Sequence, residues 1–310
     1  MLFRRMTRSA LTLCMGVMAG ACSNCHGGAK SSDAAQADTD AGSVKGRFVR
    51  KSPMSYTAVL PIPDEKDTAN RYASTVVVFA KVSDSEKRQC SGVALDRRLI
   101  LTAGHCVCAF RKSTPPQHET LIDGSDCASR AVVETVSYES DANVGDGAIY
   151  RTQLYSGKVK PHPSFKAVLG AEGVVSSTAD LAVIRLDKPL KREVPTVPLA
   201  KTDVQPAESV TLVGHGYNEL EDVFDEERYF SQNKIIQVSA GEDRIPIEQP
   251  GKHLYRLDSG GPCLRKEGQK LTLVGISSRW LGRGAAFTST YANKDWISEQ
   301  VRHARGVDSD

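Results

Sequence analysis

Beyond its first 21 residues the sequence has no long hydrophobic run: nothing approaches about 18 uninterrupted apolar residues. A helical membrane-spanning protein is therefore not expected. Charge of one dominant sign is also missing, because 40 Lys and Arg stand against 37 Asp and Glu, a formal net charge of +3. So small an excess gives no electrostatic footprint for a nucleic acid. No internal repeat is evident. What is present is ordinary for a globular chain: 40% hydrophobic and 25% charged residues in a length of 310. That length allows one large or two medium domains, and an all-β unit commonly uses about 200–250 residues.

The first 21 residues differ from the rest. Arg4, Arg5 and Arg8 precede an apolar run from Ala10 to Ala19, and Ala19-Gly20-Ala21 closes it with the small-x-small pattern of a signal cleavage site. Cys22 follows directly, so the same bond also suits a lipoprotein-type cleavage that would leave an acylated cysteine as a membrane tether. Both readings put the mature chain outside the cytoplasm. The stretch after it, SNCHGGAKSSDAAQADTDAGS, is small and polar and cannot bury enough apolar surface to order itself. Residues 22–70 are read as a flexible tether or pro-segment, 71–303 as the folded domain and 304–310 as a tail.

After Arg71 come short β-rich runs separated by turn residues: Thr75–Val82, Leu99–Thr102, Leu181–Leu186, Ser209–Val213, Leu271–Ser277 and Ala285–Thr288. This pattern predicts an all-β sandwich or barrel. Trp296, Ile297, Gln300 and Val301 fall near helical spacing and predict one helix over Ala292–Ala304.

Three motifs carry chemistry: LILTAGHC at Leu99–Cys106, TADLAVIRL at Thr178–Leu186 and LDSGGP at Leu257–Pro262. In kind and in order they resemble the histidine, aspartate and serine motifs of the trypsin/chymotrypsin family of serine proteases, in an exported bacterial form. Cys90-Ser91-Gly92, Val213-Gly214-His215-Gly216-Tyr217 and Leu273-Val274-Gly275-Ile276-Ser277 extend the likeness over about residues 75–301. The resemblance implies two packed six-stranded antiparallel β-barrels with a C-terminal helix and the site between them. It implies His105 as general base, Asp180 as the residue that orients it and Ser259 as nucleophile. A serine hydroxyl is a poor nucleophile at neutral pH and needs such a base, and the histidine needs a carboxylate to fix its tautomer. Backbone N–H groups of Leu257 and Ser259 would form the oxyanion hole. No metal or organic cofactor is implied. The partner is a protein or peptide substrate, and the enzyme acts as a monomer.

Two departures favour an alternative reading, a catalytically impaired homologue that serves as a binding module. Leu257 stands where the family has glycine. No Ile-Val-Gly-Gly-like segment, whose freed terminus would pair with Asp258, lies at the expected distance before Cys90. Retention of all three triad residues favours the enzyme.

By the same resemblance Cys90 and Cys106 form the disulfide that brackets the histidine, and Cys108 with Cys127 could close the loop that follows. Cys263 reads as a small core residue, with Cys25 as its one alternative partner. Cys22-Ser23-Asn24-Cys25-His26 matches the C-x-x-C-H haem pattern, but nothing around it could build an apolar haem pocket. His253 aligns with the base of the substrate pocket, Tyr255 and Arg256 with its rim, and Ser278, Arg279 and Trp280 with the opposing wall. The base carries no aspartate, so a lysine or arginine preference is not expected; His253 with the two arginines suits an acidic side chain.

Overall fold

The structure, a computed structural model, describes residues 65–112, 120–140, 148–170, 173–218, 223–224, 227–248, 259–278 and 285–306. The signal segment, Cys22, Cys25 and nearly all of the tether lie outside these. The chain divides into two units, 1–55 and 56–310, and every described residue belongs to the second. Among the described residues no helix is long and apolar enough to cross a membrane.

The first half contains β1 (Glu65–Lys66), β2 (Thr75–Lys81), β3 (Lys87–Asp96), β4 (Leu99–Thr102), β5 (Arg111–Lys112), β6 (Thr120–Asp123), β7 (Arg130–Ser140), β8 (Ala148–Pro161), β9 (Lys166–Gly170), β10 (Gly173–Thr178) and β11 (Ala182–Leu186). Six of these close into a barrel in the order β11-β4-β3-β2-β7-β8, while β10-β9-β6-β5 make a separate four-stranded sheet. The barrel closes because its strands are rich in β-branched residues and alternate inward and outward. In β2, Val76, Val78 and Ala80 point into the core, and Val77 packs on the other face with Phe79, Val136 and Tyr138.

The second half holds β12 (Ser209–Gly214), β13 (Tyr217–Asn218), β14 (Val223–Phe224), β15 (Tyr229–Lys234), β16 (Arg244–Pro246), β17 (Pro262–Glu267), β18 (Lys270–Ser277) and β19 (Ala286–Ser289). Its main sheet runs β1-β15-β12-β17-β18-β19-β16. The last strand, β16, comes back to the chain that continues β15: Ile236 N–H donates to Pro246 O at 3.0 Å and Glu248 N–H to Lys234 O at 2.8 Å, around a bridge between Ile235 and Ile247. Six strands therefore curl into a second barrel, with β1 laid against the outer edge of β15. Its core is built from residues such as Val210, Leu212, Ile245, Val274 and Phe287. Cys263 is fully buried there.

The halves are not independently packed. Val213, Phe230, Leu264, Leu273 and Ile276 of the second half join the hydrophobic cluster of the first barrel. Among the described residues the fold is all-β apart from one 3-10 turn, Gly104–Cys106, and α1 (Lys294–Gly306), two residues later at each end than the sequence predicts. Ile297, Gln300 and Ala304 recur on one face of α1 and are buried. The folded body also begins earlier than residue 71. Glu65 and Lys66 pair with Phe230 and Tyr229, and Asp67 is wholly buried, because polar partners far along the chain capture this segment.

Candidate active site

β4 delivers the histidine. After Thr102 the chain turns into a short 3-10 segment, Gly104–Cys106, that buries His105 at the barrel end. Gly104 is required by close approach, since a Cβ there would sit 2.7 Å from the Phe165 ring. Disulfides join Cys90 to Cys106 and Cys108 to Cys127. Arg88 spans the same loop, donating to the carbonyl oxygens of His105 and Cys108 while its guanidinium lies 4.1 Å from the centre of the Phe110 ring.

The Asp180 carboxylate meets His105 twice. Oδ1 accepts the His105 backbone N–H at 2.8 Å, and Oδ2 lies 2.7 Å from Nδ1. An ionised carboxylate only accepts, so Nδ1 carries the proton and Nε2 keeps its lone pair. Ser278 Oγ is the third donor to the carboxylate, 2.8 Å from Oδ2, and Thr288 Oγ1 lies 3.0 Å from Ser278 Oγ. Burial by itself would push the Asp180 carboxyl up. The adjacent His105 imidazole and the hydrogen bonds from its ring, its backbone and Ser278 outweigh burial and hold it below its ordinary value.

The backbone before Asp180 is unusual. Ala179 has φ +46°, a left-handed conformation that non-glycine residues avoid. Asp243 holds it there: its Oδ2 accepts the Ala179 N–H at 2.7 Å and is shared with Asn293 Nδ2 at 3.1 Å.

Ser259 is buried on the turn that precedes β17. Its carbonyl accepts the Ser91 N–H at 2.8 Å, and Gly260 N–H donates to Ser277 O at 2.8 Å. Gly260 has φ +83°, and a Cβ there would lie 2.2 Å from Ser91 O and 2.3 Å from Thr102 Oγ1. Only glycine lets the serine turn press so closely on β3 and β4. Ser91 follows Cys90, whose disulfide partner Cys106 follows His105. The serine turn and the histidine turn are thus fastened to the same strand.

Leu257, His253, Tyr255, Arg256, Arg279 and Trp280 fall outside the described residues. Ser278, expected along the pocket wall, is fully buried with its hydroxyl on Asp180. Arg88, Asp243 and this Ser278 contact were missed by sequence reasoning. Nothing local marks Asp243 as more than a surface acid, and only contacts far along the chain assign these roles.

Cys90, His105 and Cys106 form the one potential metal-ligand group among the described residues, with ligand atoms within 4.8 Å of one another. Both sulfurs are joined to each other, so no thiolate remains to bind a metal. His215 and His162 take structural partners: His215 N–H donates to Ser91 Oγ at 2.9 Å, and His162 Nδ1 accepts from Ser164 N–H at 3.1 Å. Burial draws the His162 imidazole below its ordinary value.

Compared with known families, the chain matches the trypsin family over residues 64–297, and it belongs to that family. It carries the fold of trypsin-like serine proteases. No curated protein matches it.

Proposed function

We propose that the protein is an exported serine endopeptidase that hydrolyses peptide bonds through an acyl-enzyme. The observation that carries this reading is the His105–Asp180 pair at 2.7 Å, which leaves Nε2 as the basic edge of a buried imidazole. In the proposed reaction His105 Nε2 takes the Ser259 hydroxyl proton as Oγ attacks the scissile carbonyl. Asp180 stabilises the imidazolium that forms, with Ser278 and the His105 backbone N–H holding the carboxylate in place. The imidazolium returns the proton to the departing amine. Water, deprotonated by the same nitrogen, then frees the acid product. The backbone N–H groups of Leu257 and Ser259 would receive the oxyanion.

The signal segment, the tether of residues 22–70 and the two disulfides support an address outside the cytoplasm: secreted, periplasmic, or held to a bacterial envelope by acylated Cys22. A monomer acting on a protein or peptide needs no cofactor for this chemistry.

Leu257 favours a second reading. A side chain where the family has glycine hinders the peptide orientation an oxyanion hole needs, which would leave a binding module on a protease fold. Labelling the mature chain with a fluorophosphonate, read by intact mass, separates the two. The enzyme reading expects one adduct on the wild type and none on Ser259→Ala. No adduct on the wild type, with labelling restored in Leu257→Gly, would establish the binding module instead.

A further inference from the structure

Arg244 stands across from Thr288 in the β16–β19 pair. Residues directly opposed in an antiparallel pair share a face. Their neighbours Ile245 and Phe287 fill the second core, so Arg244 and Thr288 face the other way. That face carries the Asp180 network, because Thr288 Oγ1 is 3.0 Å from Ser278 Oγ, which donates to Asp180 Oδ2 at 2.8 Å. Arg244 is therefore a cation placed beside the acid of the site.

Its hydrogen bonding is incomplete. Among the described residues, no acceptor meets the buried Arg244 Nε. Two nearby carboxylates are already engaged, Asp180 with His105 and Ser278 and Asp243 with Ala179 and Asn293, while the third, Glu242, is exposed to water. Burial lowers the Arg244 guanidinium from its ordinary value, against the pull of Asp180 and Glu242. A half-buried guanidinium with an unmatched donor costs free energy until an acceptor arrives, and a carboxylate is the acceptor its planar donor array fits best.

We propose that Arg244 is a specificity residue that receives an acidic side chain of the peptide substrate. It adjoins Asp180 and Ser278, on the Nδ1 side of the imidazole, whereas the reacting bond lies on the Nε2 side. Successive residues of an extended peptide are about 3.3 Å apart. The acid that reaches Arg244 therefore belongs to a residue removed from the scissile one, distinct from any acid met by the His253 pocket. This inference rests on the protease reading.

The test is a neutral peptide through which a single glutamate, or a matched glutamine, is walked position by position. At one position away from the scissile residue, glutamate should raise kcat/KM about tenfold or more over glutamine, as a charged hydrogen bond implies. Arg244→Gln should bring that ratio close to one and Arg244→Lys should keep part of it. Reading a ratio within each variant cancels any general loss of activity, and fluorophosphonate labelling of each variant reports an intact serine. A ratio near one at every such position in a labelled, active wild type overturns the proposal alone, as does a preference that survives Arg244→Gln. A wild type that neither labels nor cleaves any peptide overturns the protease reading and this inference with it.

Discussion

Asp180 has no access to water, so its charge depends entirely on the donors around it, and Ser278 is the one that can be removed without touching His105. Ser278→Ala should cost about 1.5–3 kcal/mol, the worth of a hydrogen bond to a charged group, and lower kcat/KM about tenfold. Calorimetry and peptide hydrolysis measure the two effects. The pH dependence has a definite sign. The folded carboxyl lies below its ordinary 3.8, so its contribution to stability is present above that value and is lost as pH falls through the folded one. The wild type should keep this contribution down to about pH 4. Ser278→Ala weakens the depression, so the acid loss should begin near the same pH but be smaller and be complete at a higher pH. Unfolding midpoints measured from neutral to strongly acid pH would show it, and identical acid limbs would mean that Ser278 does not support the charge.

Turns, rather than strands, set the distance between the serine and the histidine. Gly260 and Gly268 both have positive φ, +83° and +63°, but a Cβ on Gly268 meets nothing within 4 Å, whereas one on Gly260 collides with Ser91 and Thr102. Gly268→Ala should therefore cost only about 1–2 kcal/mol, the conformational penalty, and leave fluorophosphonate labelling intact. Gly260→Ala should cost more than that in denaturant unfolding and abolish labelling, because β3 and the serine turn must part. Strand positions were largely legible in the sequence: Leu99–Thr102 is β4 as expected, and the runs ending in Leu186 and Ser277 end where β11 and β18 do. The long β7–β8 hairpin was not, because its apolar residues are diluted by polar ones on a solvent face, where Leu154 is 64% exposed. The His105, Asp180 and Ser259 segments stand out in the sequence because each motif is a short run of neighbouring residues. Arg88, Asp243 and Arg244 were not, since each is an ordinary charged residue until distant strands bury it.

At the scale of the whole molecule, the two halves are tied by a buried ion pair at the start of the folded body. Asp67 and Arg228 are both 0% exposed, with Arg228 Nε 2.8 Å from Asp67 Oδ2. Arg228 also donates to Val136 O at 2.9 Å, and Asn70 exchanges two hydrogen bonds with the Tyr138 backbone, so β7 of the first barrel and β15 of the second meet around one segment. The Tyr138 phenol, pushed up to about 12 by burial, stays neutral and accepts the Arg228 N–H at 2.5 Å. Removing one member of such a pair strands the other charge, so Asp67→Asn should cost about 3–5 kcal/mol in urea unfolding. Adding Arg228→Met removes the stranded charge and should recover more than half of that loss. A change within about 0.5 kcal/mol for Asp67→Asn, the size of an ordinary surface substitution, would mean that the segment is only draped over the barrels. The clamp also bears on maturation. A cut before Glu65 leaves Asp67 and Asn70 in place, whereas a cut between Asp67 and Tyr72 frees the acid that neutralises Arg228. Limited proteolysis with N-terminal sequencing should therefore yield a stable fragment beginning at or before Glu65, and a stable fragment beginning at Tyr72 would show that the buried pair is dispensable.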